Sequence, residues 1–367
     1  MNARPVAIIS AIVVLLGSGC GSGQDQTPVS KTYVYVANRD SASVSGYAVS
    51  LDTHSMSAVP GSPFAADISP ITIAIDPLGK YVYVATLNCA INVYAINPTT
   101  GSLTAVSGSP VSLDTYPSRI AIDPRGKFAY VTKDSGGCVS VYSIDRTTGL
   151  LTEIAGSPFA AGSYPNCVAL DPAGKFAFVS NGSSNNVSVY AVDAVTGALA
   201  EIAGSPFPSG DFPTAVVIDP EGKFAFTTNI FTYDVSLYFV AATTGALTET
   251  LDSPIAVGSQ IIDMAIVPEG QFAYLADWLY GQIYAYTVDR ATGALAGISG
   301  SPFQTGSLPR SLAVDPEGQF LFVANSDSAS LSVFSINAAT GFLQGALGVT
   351  VPTGQTPFAV ATVRLGQ

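Results

Sequence analysis

The chain has 367 residues, 48% of them hydrophobic and only 11% charged, with a formal net charge of -12. That composition supports a large buried core and so excludes a disordered chain. With 14 Lys and Arg against 26 Asp and Glu there is no basic surface to neutralise phosphates, which argues against nucleic acid as a partner.

In chain order, the first element is MNAR, the apolar run PVAIISAIVVLLGSG and then Cys20. The run is too short to span a bilayer. The arrangement resembles a bacterial lipoprotein signal, which implies that residues 1–19 are removed, that Cys20 is lipidated, and that the only membrane attachment is a lipid anchor. Where that family usually has leucine three positions before the cysteine, this chain has Gly17, with Leu16 beside it; an ordinary secretory signal cleaved nearby is the alternative. Both imply export, to the periplasm or the cell surface. Residues 20–30 are polar and rich in Gly and Ser, as in a flexible tether, which leaves 31–365 as the folded domain.

From residue 31 onward one unit is copied at a period of 47 or 48 residues. A DPxG(K/Q) turn recurs at Asp76, Asp123, Asp171, Asp219 and Asp315, with Val267 in the Asp place once. A TG turn recurs at Gly101, Gly149, Gly197, Gly245, Gly293 and Gly341, and an SP pair at Pro63, Pro110, Pro158, Pro206, Pro254 and Pro302. Each unit holds four strand candidates, for instance ITIAID, KYVYVAT, INVYAIN and SLTAVSG. The first is almost continuously apolar, as for a strand covered on both faces, and the last is the most polar. Pro early in the DPxG turn and Gly where φ is positive join the first two strands as a hairpin.

Four-stranded units of this length, repeated, predict a β-propeller. Residues 31–63 contain only second, third and fourth strands, and the chain ends on a lone first strand, PFAVATVRL. Pairing these two fragments makes a seventh blade and removes the free edges of an open array. The predicted fold is therefore all-β: a seven-bladed propeller with four antiparallel strands per blade, closed between the C-terminal strand and three N-terminal ones. The segments YVYVAN, YVYVAT, FAYVTK, FAFVSN and FLFVAN resemble the YVTN repeats of the lactonase-type seven-bladed propellers, a group that includes 6-phosphogluconolactonase-like proteins. The resemblance spans the chain after the tether. It implies the fold, and it implies lactone hydrolysis as one candidate activity.

In such a ring the loops into first strands and out of second strands share one face around the central channel. Charge is scarce here, so Arg39, Arg119, Lys133, Asp263, Asp277 and Arg310 on that face are candidate ligand-binding residues. They form either a pocket for an anion or polyol, with Arg giving bidentate contacts, or structural ion pairs between neighbouring blades. Phe231, Tyr233, Trp278 and Tyr280 break the repeat pattern in the same loops and are candidates for stacking sugar rings or a partner protein. Tyr116, Tyr164 and Phe212, each followed by Pro, read as repeat residues packing beneath the loops.

The only histidine, His54, falls in a turn at the opposite face. The family resemblance implies His and Arg with an acidic residue near the strand starts. Arg119 or Arg310 matches an anchoring arginine, but no His matches a base, leaving Asp263 or Asp277 to activate water. No Cys or His spacing fits a zinc site, and no phosphate loop or nucleophile elbow is present, so neither metal nor cofactor is expected. Of the cysteines past the tether, Cys138 and Cys167 are the expected disulfide pair, with Cys89 left over. The expectation from sequence is thus a monomeric, lipid-anchored binding or scaffold module taking a small polar or sugar-like ligand or an envelope protein. The alternative is a lactonase-like hydrolase acting on sugar-acid lactones.

Overall fold

The structure, a computed structural model, describes residues 31–50, 55–345 and 350–366. The expected signal peptide, Cys20, the tether and His54 lie outside the described residues.

Seven antiparallel sheets form the blades of a closed ring. The first blade is the composite one. Lys31–Asn38 pairs on one side with Ser43–Ser50 and on the other with Pro357–Leu365, in a register running from Lys31 opposite Leu365 to Asn38 opposite Pro357. Head and tail therefore share one sheet, as the fragmentary repeat implies. The first strands stand innermost and pack against the first strands of both neighbours, while the polar fourth strands face outward.

Each blade also carries a fifth strand of two residues, such as Phe159–Ala160, which pairs with the start of the third strand. The four-strand expectation missed it because two residues carry no periodicity. Its position follows from the SP pair: the Ser hydroxyl oxygen accepts a third-strand N–H, as Ser157 does from Val141 at 3.0 Å and Ser205 from Val189 at 2.9 Å. That bond turns the chain back along the third strand.

The DPxG marker fixes the hairpin within each blade, and the TG marker locks one blade to the next. In the DPxG turn the Asp carboxylate accepts two N–H groups across the hairpin, Lys175 and Phe176 at 2.6 Å each in the case of Asp171. In five blades, from Tyr81 to Phe272, the aromatic residue that opens the second strand packs on the TG turn of the next blade. At Gly197, with φ +78, an added Cβ would stand 2.5 Å from the Phe128 ring. Only glycine combines that backbone conformation with so close an approach.

Candidate active site

Every first strand starts with a β-bulge against its second strand, between Pro70 and Thr72, Pro117 and Ile120, Pro165 and Cys167, Pro213 and Ala215, Ile261 and Asp263, and Pro309 and Ser311, with the equivalent irregularity at Ala37 and Asn38 in the composite blade. A bulge leaves a residue unpaired and re-aims its side chain. Here the extra residues, Ile71, Ser118, Asn166, Thr214, Ile262, Arg310 and Phe358, all line one central cavity of about 550 Å³. A second tier comes from the residue just after five of the second strands: Arg39, Leu87, Asp134, Ile230 and Trp278. Ser118, Asn166 and Thr214 tie their blades to the next by donating to the carbonyls of Pro165, Pro213 and Ile261, at 2.9, 2.7 and 3.2 Å.

The cavity has distinct sides. Across the seventh and first blades Arg310 and Arg39 share the Phe358 ring, their guanidinium carbons 5.1 and 5.5 Å from its centroid, and Arg310 also lies 5.1 Å from the centre of Trp278. Stacking on aromatic faces is a normal place for guanidinium. Among the described residues, however, neither arginine has a carboxylate within ion-pair distance, and the Nε atoms of both are buried without a hydrogen-bond partner. Burial, and then repulsion from Arg39, pulls the Arg310 proton affinity below its ordinary value. Arg119 reaches from the third blade to Asp263 in the sixth, 3.3 Å away, and Asp263 is what raises the Arg119 proton affinity.

On the third blade Asp134 lines the cavity with one carboxylate oxygen buried and unpartnered, and burial pushes its pKa up from 3.8 to about 6. Its charge is the main cause of the raised pKa of the neighbouring Tyr164 phenol. From there an aromatic wall runs along the cavity: Tyr164 to Phe212 at 5.6 Å between ring centres, then Phe212 to Phe231 at 5.3 Å.

Of the residues expected at the site, Arg39, Arg119, Arg310, Phe231 and Trp278 converge on the cavity. Lys133 and Asp277 do not. All seven residues that close the second strands, Lys133 and Asp277 among them, are fully buried. Four are asparagines, tied by their amides to the third strand, as Asn181 is to Asn186 and Ser188 at 2.8 and 3.0 Å. Lys133 pairs with Asp114, and Asp277 accepts the N–H groups of Leu279 and Tyr280 at 3.0 and 3.1 Å. The pleat sends the next residue inward, so the expectation was one position early at both. Asp263 sits behind the lining with both oxygens engaged, by Arg119, by the Met264 N–H and by the Leu312 N–H at 3.2 Å, which leaves it unable to serve as the base. Its pairing with Arg119 runs across the ring and not between neighbouring blades.

Tyr233 and Tyr280 stay outside the cavity, Tyr280 on a separate shallow depression of about 350 Å³. Tyr164 and Phe212 were taken as packing under the loops but form the wall. Both adopt positive φ, +58 and +54, as do Ser69, Leu308 and Thr356 at the equivalent position of other blades. Cys89, Cys138 and Cys167 are free thiols, so the expected Cys138–Cys167 disulfide is absent. The Cys167 sulfur faces the following blade, 3.9 Å from the Val216 carbonyl, and Cys138 lies beside Gly136 in its own blade. Among the described residues no group of three or more His, Cys, Asp or Glu is placed to hold a metal ion.

A family profile described as lactonase, 7-bladed beta-propeller matches residues 26–112, 105–209, 157–262 and 258–356. The chain belongs to the seven-bladed lactonase family. That membership overturns the binding or scaffold role expected from the missing histidine, and the lactone-hydrolase alternative takes its place. Solved structures agree on the lactonase-family fold. Proteins of Bacteroides fragilis and Bacteroides uniformis, provisionally described as 6-phosphogluconolactonases, superpose with TM-scores of 0.80 and 0.79 at 20% identity, over 94% and 91% of this chain and 100% and 99% of theirs. The periplasmic gluconolactonase of Pseudomonas aeruginosa superposes with a TM-score of 0.78 at 20% identity, over 91% of this chain and 99% of its own. No curated protein matches the sequence.

Proposed function

We propose that the protein hydrolyses sugar-acid lactones in the central cavity, with Asp134 as general base and Arg310 and Arg39 as the anion-stabilising pair. The observation that carries this reading is the pairing, in one cavity, of a carboxylate lacking a partner on one oxygen and two guanidinium groups lacking counter-ions. A carboxyl with a pKa of about 6 is ionised at neutral pH yet basic enough to take a proton from water. Hydroxide adds to the lactone carbonyl carbon, and the resulting oxyanion lies against the arginines, whose charge stabilises it. Collapse breaks the ring C–O bond, the ring oxygen takes the proton from Asp134, the new carboxylic acid loses its own proton to solvent, and the product carboxylate keeps the arginines as partners until it leaves. Family membership and the gluconolactonase likeness support this reaction class.

The test is hydrolysis of glucono-1,5-lactone above its spontaneous rate. Arg310→Ala is expected to lose about 10²-fold or more in kcat/KM, as for removal of one oxyanion donor. A wild-type protein that accelerates no aldonolactone overturns the proposal. Export, with Cys20 as a lipid anchor, is proposed alongside it, and radiolabelled palmitate incorporation that survives Cys20→Ala would refute the anchor.

A further inference from the structure

The cavity is larger than its chemistry needs. A hexonolactone has about 12 non-hydrogen atoms, whereas cavities of several hundred Å³ typically bury drug-sized ligands of about twice that size. Here the volume is about 550 Å³, and the surplus is not evenly distributed. The charged groups stand on the third blade and on the seventh and first, while Tyr164, Phe212 and Phe231 form a continuous strip on the fourth and fifth blades. The strip starts at Tyr164, beside Asp134, and both of its ends are open to solvent, Tyr164 being 43% and Phe231 58% exposed.

Resting on the lactone-hydrolase reading, we infer that this strip is a second subsite that stacks a glycosyl unit, so that the preferred substrate is the lactone of a disaccharide acid and not of a single sugar. A pyranose presents an apolar C–H face to aromatic rings and a girdle of hydroxyls around it. The cavity supplies both partners: its lining also holds Gln260, whose side-chain amide has no hydrogen-bond partner within the described protein. An acyl chain would leave that amide desolvated and unpaired. The reaction that supplies such a substrate is oxidation of the reducing-end C1 of a disaccharide, and hydrolysis releases the open aldobionate.

Comparing cellobiono-1,5-lactone with glucono-1,5-lactone tests the inference. The disaccharide lactone is expected to show at least a tenfold higher kcat/KM, and Phe231→Ala to lower its kcat/KM about tenfold more than that of the monosaccharide lactone. Equal kcat/KM for the two lactones, or an equal loss for both in Phe231→Ala, overturns the subsite while leaving lactone hydrolysis standing. If neither lactone is turned over, the hydrolase reading fails, and binding alone decides the subsite. The only tryptophan, Trp278, lines the cavity, so its fluorescence reports titration with cellobionate and gluconate directly. At least tenfold tighter cellobionate binding supports the subsite, and equal affinity refutes it.

Discussion

Replacing Asp134 with Asn should move activity and stability in opposite directions. Asn keeps the shape but cannot take a proton, so kcat/KM for glucono-1,5-lactone should fall by about 10² to 10⁴. In the wild type, kcat/KM should rise with pH through an apparent pKa near 6. The stability effect follows from the same burial. The folded carboxyl holds its proton more tightly than the unfolded one, so the stability lent by the protonated form is fully present below about pH 3.8 and is lost as pH rises through about 6. A rise from 3.8 to about 6, at about 1.4 kcal/mol per tenfold change in proton affinity, is worth about 3 kcal/mol against the ionised form. Asp134 is only partly buried, and solvent in the cavity screens that to about 1–1.5 kcal/mol. At about 2.1 cal/mol/K of unfolding entropy per residue, the Asn variant should melt about 2 °C above wild type at pH 8 and level with it near pH 3.5. The assays are lactone hydrolysis in a pH-stat, corrected for the spontaneous rate, and calorimetry at the two pH values. Full activity at neutral pH, or a melting difference that does not vary with pH, would refute the assignment of Asp134.

Three other outcomes are expected. Deleting residues 357–367 exposes the inner edge of Lys31–Asn38, whose residues are buried except Lys31, and should abolish cooperative melting; an unchanged melting curve would rule out the head-to-tail closure. Lys133→Met should keep kcat/KM within about threefold, because Lys133 neutralises Asp114 and does not reach the cavity. Lys133 also holds the Asp114 carboxyl below the ordinary range, so the stability this pair contributes is present above about pH 3.8 and fades as pH falls; the variant should lag wild type in melting temperature at pH 7 and match it in acid. Finally, alkylation in denaturant without reductant, read by mass spectrometry, should label Cys89, Cys138 and Cys167 alike, and protection of two of them would mean that a disulfide forms after all.

Sequence by itself determined the ring. The DPxG, TG and SP markers are local turn chemistry, legible because each depends on a few adjacent residues, and the complementary fragments at residues 31–63 and 357–365 required a closed circle. It also located the face that holds the central cavity and five of the residues that line it. Only the tertiary structure decided which polar residues look inward. At Lys133 and Asp134, or Asp277 and Trp278, the choice between neighbours depends on the pleat and on where the second strand ends, and composition is blind to a shift of one. The Arg119–Asp263 pair joins residues 144 apart across the channel, so Asp263 reads as a free base until the ring is closed. The Asp134 carboxyl has its pKa raised only because the assembled blades bury it. That burial is a sum over distant segments of chain, which no local stretch of sequence encodes.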